Sequence, residues 1–513
     1  MSAETFVLAI DQGTTSTRAI LFDRKGQARV SAQVPLTQLY PAPGQVEHDP
    51  EEIWRSVLKA GRAVIGEVGA GAIAAIGITN QRETTLVWER ATGKPLANAI
   101  VWQDRRTAEL CGELQREGWG DHVANATGLV IDPYFSASKL AWLLANVPGL
   151  EKRARAGEVC FGTVDSFLLF RLTGGKLHAT DATNAARTEL YDIRSGHWDE
   201  KLLDRLGVPR AMLPEVRDTQ SDFGLSAPEH FDAAVPITGV AGDQQAAAYG
   251  QACFEPGMLK ATYGTGCFVL ANTGGKKVAS ATRMLSTIFH QIAGRRTYAL
   301  EGAIFMAGAT VQWLRDGLGL IASAAESEAL ARDADPKARI YLVPAFQGLG
   351  APFWDAGARG AIFGLSRAAS KADLVAAGLE AVAFQTRDLL TAMRQDMAAS
   401  GIAASGIAAS GIAAPSTLRV DGGMTANAWF LHRLADILGQ RIEVALNAET
   451  TALGAAYHAG QATGFFGDAA TLANSWVPGR AFEPTMTEAE REARYGGWLD
   501  AVARVRTDGA SFP

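Results

Sequence analysis

Four short segments of this chain join strand-end acids or glycines to small hydrogen-bond donors. In the first, an apolar run at 6–10 delivers Asp11, and Gly13, Thr14, Thr15, Ser16, Thr17 and Arg18 follow before a second apolar run at 19–22. This reads as strand, tight turn, strand, with a tip made of small donors. Successive backbone N–H groups at such a tip form a concave anion site, and the strand-end carboxylate can hold a metal ion over it. Gly242-Asp243-Gln244-Gln245 and Asp421-Gly422-Gly423 each end a buried apolar run, and Gly264-Thr265-Gly266 makes a fourth turn. Each alone has an ordinary explanation: a Gly-Thr hairpin, or an Asp that caps a helix after Gly. Four in one chain, with aspartates ending two strands of the first half, fit a nucleotide held between two lobes.

The elements around these turns alternate between strand and helix. Asp49 reads as the N-cap of a helix with Pro50 at its first position and Glu52 closing a capping box. Strands are expected at 72–79, 84–89 and 100–102, with a helix beginning near Asp104. A buried strand at 235–241 ends at Gly242-Asp243 and feeds a helix through Tyr249. The pattern restarts near Glu255-Pro256-Gly257 with a strand at 258–262. A long helix at 372–398, capped by Ser370 with Asp373 three residues on, precedes a strand at 418–420, a helix at 425–438, a strand at 441–444 and a helix at 451–460. At 513 residues the chain exceeds one core, so two α/β domains are expected, 1–250 and 251–513. Residues 400–414 read SGIAA three times, an expanded connector expected to be exposed or mobile.

The formal charge of −6 gives no reason to propose nucleic acid or an anionic membrane as partner. No apolar stretch approaches the roughly 20 residues of a membrane span, and the first apolar run meets Asp11 too soon for a secretion signal. Cys111, Cys160, Cys253 and Cys267 show no paired spacing, so reduced thiols in a cytoplasmic protein are expected. The histidines form no zinc-ligand spacing. Trp313, Trp354 and Trp498 read as packing residues, and the mixed charges at 488–494 as a solvated helix face.

The blocks AIDQGTTSTRAI, PGQVEHDP, ITNQRETT, AIVWQDRRTAE, TGLVIDPYFSASK, GVAGDQQAA, YGTGCF, EGAIFMAGATVQWLRD, PAFQGLGAPFWD, RGAIFGLSR, RVDGGMTAN and TALGAAY lie between Phe6 and Trp498. Through them the chain resembles the FGGY carbohydrate kinase family and, within it, the members that phosphorylate glycerol. The resemblance implies an α/β fold of two actin-like, hexokinase-like (ribonuclease H-like) ATPase domains, with a nucleotide and substrate cleft between them. It implies ATP-dependent phosphorylation of glycerol to sn-glycerol 3-phosphate, the first step of glycerol catabolism. ATP, Mg²⁺ and glycerol are then the ligands, and a homodimer or homotetramer is the implied assembly.

Residue by residue, Thr14, Thr15, Ser16 and Arg18 match the family's phosphate-binding hairpin. Thr265, Gly308 and Gln312 match nucleotide contacts from the second domain, and Gly423 and Asn427 the adenosine-binding turn. Asp11 resembles the metal-associated aspartate, acting on Mg²⁺ partly through water, and Asp243 is a second candidate at the metal. Asp243 is also the expected catalytic base, ending a strand where a carboxylate can accept the attacking hydroxyl's proton. Arg82 and Glu83 match the pair that hydrogen-bonds glycerol hydroxyls; adjacency alone would make them a surface ion pair. Gln244 adds an amide, while Trp102, Phe268 and Tyr134 match the wall along the carbon chain.

The stretch 221–234 lacks the glycine pairs and arginine with which some members bind fructose 1,6-bisphosphate. It holds His230-Phe231, loosely similar to a His-Phe that phosphotransferase-system proteins modify, although His230 is expected as an exposed loop residue. Alternatives within reach of the sequence are an FGGY kinase for another small polyol or ketose, and a non-catalytic ATP-binding module on the same fold.

Overall fold

The computed structural model describes residues 4–355, 357–402 and 417–507; most of the SGIAA repeat lies outside the described residues. The first half builds β1 (Phe6–Gln12), β2 (Ser16–Phe22), β3 (Ala28–Pro35), α1 (Pro50–Val68), β4 (Ile73–Asn80), the short α2 (Ala182–Ala185), β5 (Ile237–Gly242) and α3 (Asp243–Gly250). The second half begins with β6 (Leu259–Tyr263), β7 (Cys267–Gly274), β8 (Leu285–Ile292), β9 (Arg295–Ile304), α4 (Gly308–Gln312) and α5 (Glu326–Arg332). It continues with α6 (Lys371–Ala399), β10 (Leu418–Asp421), α7 (Ala428–Leu438), β11 (Ile442–Ala445), α8 (Thr450–Ala462), β12 (Pro478–Phe482) and α9 (Glu488–Val505).

The two halves repeat one topology. The first sheet runs β5-β4-β1-β2-β3, and the second runs β8-β9-β7-β6-β10-β11-β12. In each, an antiparallel hairpin (β1-β2, β6-β7) continues through an antiparallel third strand, and two parallel strands extend the other side.

Side-chain alternation along β1 explains why its sheet is covered on both faces. Leu8 and Ile10 join Val57, Ala60 and Val64 of α1 in one core. Val7 and Ala9 face the other way and join Ala452, Ala456 and Ala459 of α8. A helix from the second half therefore roofs the first sheet. The approach is close: a Cβ on Gly77 of β4 would lie 2.2 Å from the Ala455 carbonyl oxygen, and one on Gly454 would lie 1.8 Å from that of Ala246 on α3. Helices α3 and α8 cross at this seam between the halves.

Some local expectations change. Asp49 caps α1 through Glu51 N–H, but Glu52 accepts the Thr37 N–H and hydroxyl at 3.1 and 3.0 Å, so no capping box closes there. The helix expected near Asp104 starts at Ala108, because Asp104 is engaged by Val46 N–H and Arg106. The strand expected at 84–89 pairs with Val159–Gly162 outside the main sheet. Asn427 caps α7 by accepting Phe430 N–H, after a 3₁₀ turn at Gly423–Ala426. The capping box of Ser370 and Asp373 does open α6. His230 is half-buried, edge-on to Trp54 at 5.0 Å, and donates to the Arg171 carbonyl. In the run 488–494, Arg494 is buried and pairs with Glu490 and Glu380, so that helix face is solvated only in part. Trp498 is fully buried, stacked on Phe384, with its indole N–H on Asp388.

Candidate active site

Strand register brings the acids of the first half to one edge. Gln12, Asn80 and Gly242 are level across β1, β4 and β5, so Asp11, Arg82, Glu83 and Asp243 all emerge at the carboxyl ends of these strands. Ligands of open α/β sheets bind outside such ends. Asp243 is the first residue of α3, and Gly242 is the cap. Its carboxylate is about a third exposed and receives Arg82 Nε at 3.0 Å, the Gln244 N–H at 2.7 Å and Gln244 Nε2 at 3.2 Å. Asp11 is half-buried. Its carboxyl is pushed up to about 7 by burial and then by the Asp243 charge, against the pull of Arg18.

Arg82 and Glu83 are each 2% exposed, which rules out a surface ion pair. Their principal partners are elsewhere. Arg82 forks onto Glu301 of β9, with Nη1 on Oε2 and Nη2 on Oε1 at 3.0 Å. Arg187 Nε donates to Glu83 at 2.7 Å, and its Nη2 to Glu301 at 3.0 Å. Two guanidiniums of the first half thus grip one carboxylate of the second. Burial pushes the Glu301 carboxyl up, but Arg187 and Arg82 outweigh it and hold the group down at about 2.

Arg187 follows α2, a four-residue helix capped by Asp181. This helix supports both the turn that opens at Asp243 and the one that carries Arg82. Thr183 Oγ1 accepts the Gly242 N–H at 2.8 Å, beside Asp243, and Asn184 exchanges hydrogen bonds with Asn80, two residues before Arg82. None of Glu301, Arg187, Thr183, Asn184 or the buried Lys260 is among the residues the sequence patterns single out. The available signal was a charge inside an apolar strand: Glu301 in TYALEGAIF and Lys260 in MLKATY.

Aromatic side chains converge beside this charge cluster. Trp102 meets Tyr134 and Phe268 edge-on at 5.7 and 6.1 Å, and Trp354 packs at the same cluster. The Trp102 indole N–H donates to Thr14 Oγ1 at 2.9 Å, tying the wall to the hairpin tip. Thr15 and Ser16 complete that tip, and Arg18 reaches Glu449 at 2.8 Å.

The second half gathers its own turns. Gly308 N–H donates to the Gly264 carbonyl and Ala309 N–H to that of Thr265, so Thr265 and the start of α4, which ends at Gln312, form one unit. Gly422 has φ 93°, and a Cβ there would lie 2.4 Å from the Tyr263 carbonyl; only glycine fits. The turn holding Gly423 therefore abuts the Gly264–Gly266 turn. Asn427 also donates to Ser327 of α5 at 3.2 Å. Asp421 ties this half to the seam, accepting Gln251 at 2.5 Å and Thr450 at 2.6 Å.

Among the described residues no cluster of three or more His, Cys, Asp or Glu side chains could hold a metal. No helix there is long and apolar enough to cross a membrane. The four cysteines are free and buried.

Two family profiles match the chain: "FGGY family of carbohydrate kinases, N-terminal domain" over residues 6–250 and the corresponding C-terminal domain over 259–463. The chain is 55% identical over 504 residues to a glycerol kinase of Brucella ovis, covering 98% of this chain and 99% of that one. A glycerol kinase of Ectopseudomonas mendocina is 55% identical over 506 residues, with 98% and 99% covered. The crystal structure of Plasmodium falciparum glycerol kinase with ADP superimposes with a TM-score of 0.89 at 36% identity, covering 98% of both chains. A xylulose kinase from Lactobacillus acidophilus shares the fold at TM-score 0.85 and 22% identity, also over 98% of both. With both domain profiles matched and relatives of this identity over nearly its whole length, the chain belongs to the FGGY family of carbohydrate kinases.

Proposed function

We propose that this protein phosphorylates glycerol, transferring the γ-phosphoryl group of ATP to a terminal hydroxyl to give sn-glycerol 3-phosphate and ADP. The carrying observation is the juxtaposition of Asp243, Arg82 and Glu83 with the aromatic wall of Trp102, Tyr134 and Phe268. A small polyol needs paired polar groups on one side and apolar cover on the other. The high identity to glycerol kinases selects among FGGY substrates.

In this reading Arg82, Glu83 and the Gln244 amide bond the glycerol hydroxyls, and the aromatic wall covers its carbons. Asp243 orients the attacking hydroxyl. The new O–P bond forms as the bond from phosphorus to the β,γ-bridging oxygen breaks. The hydroxyl proton passes to the Asp243 carboxylate, and ADP leaves. Phosphoryl transfer asks the protein mainly for positioning and charge stabilisation. Thr14, Thr15, Ser16 and Arg18 supply donors and one positive charge to the phosphates. Thr265, Gly308 and Gln312 hold the nucleotide from the second half, with Gly423 and Asn427 at the adenosine.

Asp11 and Asp243 suit Mg²⁺, which takes one or two carboxylates together with substrate phosphates. Burial first and the Asp243 charge second raise the Asp11 carboxyl, and a cation between the two would offset both. When bound, Mg²⁺ neutralises charge on the transferring phosphate oxygens. A cytoplasmic protein acting as a dimer or tetramer belongs to the same reading and rests on the resemblance.

The test is ADP release by the purified protein with glycerol, erythritol or a pentulose as acceptor. Saturating turnover at low glycerol concentration is expected. Preference for a longer polyol or a ketose overturns the substrate assignment, and nucleotide binding with no acceptor-dependent turnover overturns the activity.

A further inference from the structure

Lys260 of β6 is fully buried at the junction of the halves, where its Nζ donates to Gln244 Oε1 and, at 2.8 Å, to Thr262 Oγ1. Burial lowers its pKa, while Asp421 and Asp243 favour its charged form. An ammonium offers donors and no acceptor. The Gln244 amide must therefore turn its oxygen to Lys260, which leaves its NH₂ facing Asp243 Oδ2 at 3.2 Å. The other Asp243 oxygen already receives the Gln244 N–H and Arg82 Nε. Flipping the amide would set a carbonyl oxygen against the carboxylate, replacing a hydrogen bond by repulsion.

We propose that Lys260 is a positioning residue for phosphoryl transfer: it fixes the orientation of the Gln244 amide, and through it the carboxylate of Asp243. The inference rests on the reading of Asp243 as the group that orients the acceptor. Lys260 lies on the second half of the chain and Gln244 on the first, so the link spans the seam. A lysine serving only to neutralise Asp421 would act on folding and would not act through Gln244.

The experiment compares native enzyme, Lys260→Met, Gln244→Leu and the double variant by kcat, KM for acceptor and for ATP, and thermal melting. Lys260→Met is expected to lower kcat by roughly 10- to 100-fold, the scale of a misplaced reacting group, with KM for ATP within about twofold. The double variant should be no slower than Gln244→Leu alone, within about threefold, because one residue acts through the other. A double loss equal to the product of the single losses overturns the proposal, as does kcat within threefold of native in Lys260→Met. Should Lys260→Met fail to fold, Gln244→Glu decides. It keeps the bond to Lys260 and turns an acceptor toward Asp243, so kcat should fall at least tenfold in a chain that still melts cooperatively; native-like kcat overturns the link. The acceptor assignment fails separately: if the native enzyme ignores glycerol but uses another polyol, the same ratios are read with that polyol.

Discussion

Replacing Glu301 by Gln removes one charge and almost no volume from the grip of Arg82 and Arg187. An amide oxygen in the Oε1 position keeps the contacts from Arg82 Nη2 and Arg187 Nη2, both 3.0 Å in the native chain. Its NH₂ then stands in the Oε2 position, donor against donor with Arg82 Nη1. Two estimates of the cost agree. A carboxyl held at about 2 instead of 4.5 is worth about 3 kcal/mol at neutral pH, and breaking a buried ion pair costs about 3–5 kcal/mol. Because the folded pKa is depressed, this stability is present above about pH 4.5 and fades as pH falls toward 2. Glu301→Gln should lower the melting temperature by roughly 6–20 °C, taking about 2–4 °C per kcal/mol for a unit of this size. The freed Arg82 should also raise KM for glycerol more than KM for ATP, because Arg82 faces Asp243 and the aromatic wall. Calorimetry paired with acceptor-dependent ADP release reads both effects. Unchanged melting together with unchanged KM for glycerol would refute the idea that Glu301 holds Arg82.

Asp243→Asn should keep glycerol affinity within a few fold by titration calorimetry while turnover drops about 10²- to 10⁴-fold; near-native turnover removes Asp243 from its role. Gly454→Ala would place a methyl 1.8 Å from the Ala246 carbonyl. It should cost about 1–3 kcal/mol and slow turnover by displacing α3, which begins at Asp243; native melting and rate together would count against the close seam. Burial pushes the Asp388 carboxyl up to about 7, against hydrogen bonds from Tyr495 and Trp498. Its folded form therefore holds the proton more tightly, and the stability it adds is complete below about pH 3.8 and lost as pH rises through 7. That contribution amounts to about 4 kcal/mol at most. Asp388→Asn should thus be more stable relative to native at pH 8 than at pH 5, and a difference independent of pH in paired melts would reject this.

The repeated fold was legible because its signals are local. The unbroken apolar run of β1, the glycine turns after β1, β6 and β10, and the Ser370–Asp373 box are each readable within a few residues. The same locality exposed the strand-end aspartates. What the sequence hid depends on long-range pairing. Arg82 and Glu301 are 219 residues apart, and nothing in QRETT says that Arg82 turns to a distant strand rather than to its neighbour Glu83. The role of α2 was equally silent, since DATNAAR has the composition of any capped turn and gains meaning only when Gly242 and Asn80 arrive beside it. Glu52 and His230 show the converse error. Each fits a familiar local pattern, and each is claimed by a partner, Thr37 or Arg171, that the pattern does not contain.

The roof that α8 forms over the first sheet bears on how the chain can be made. On a ribosome, β1 through β5 emerge long before residues 450–462. At about 5–20 residues per second, the roughly 200 intervening residues take about 10–40 s. Through that interval Val7, Ala9, Ile20, Phe22 and Ala75 lack Ala452, Ala456 and Ala459 of α8, which later complete their cover. The nascent first half is then a sticky intermediate rather than a finished domain, and a chain truncated near residue 440 should aggregate even though every strand of its first sheet has been synthesised.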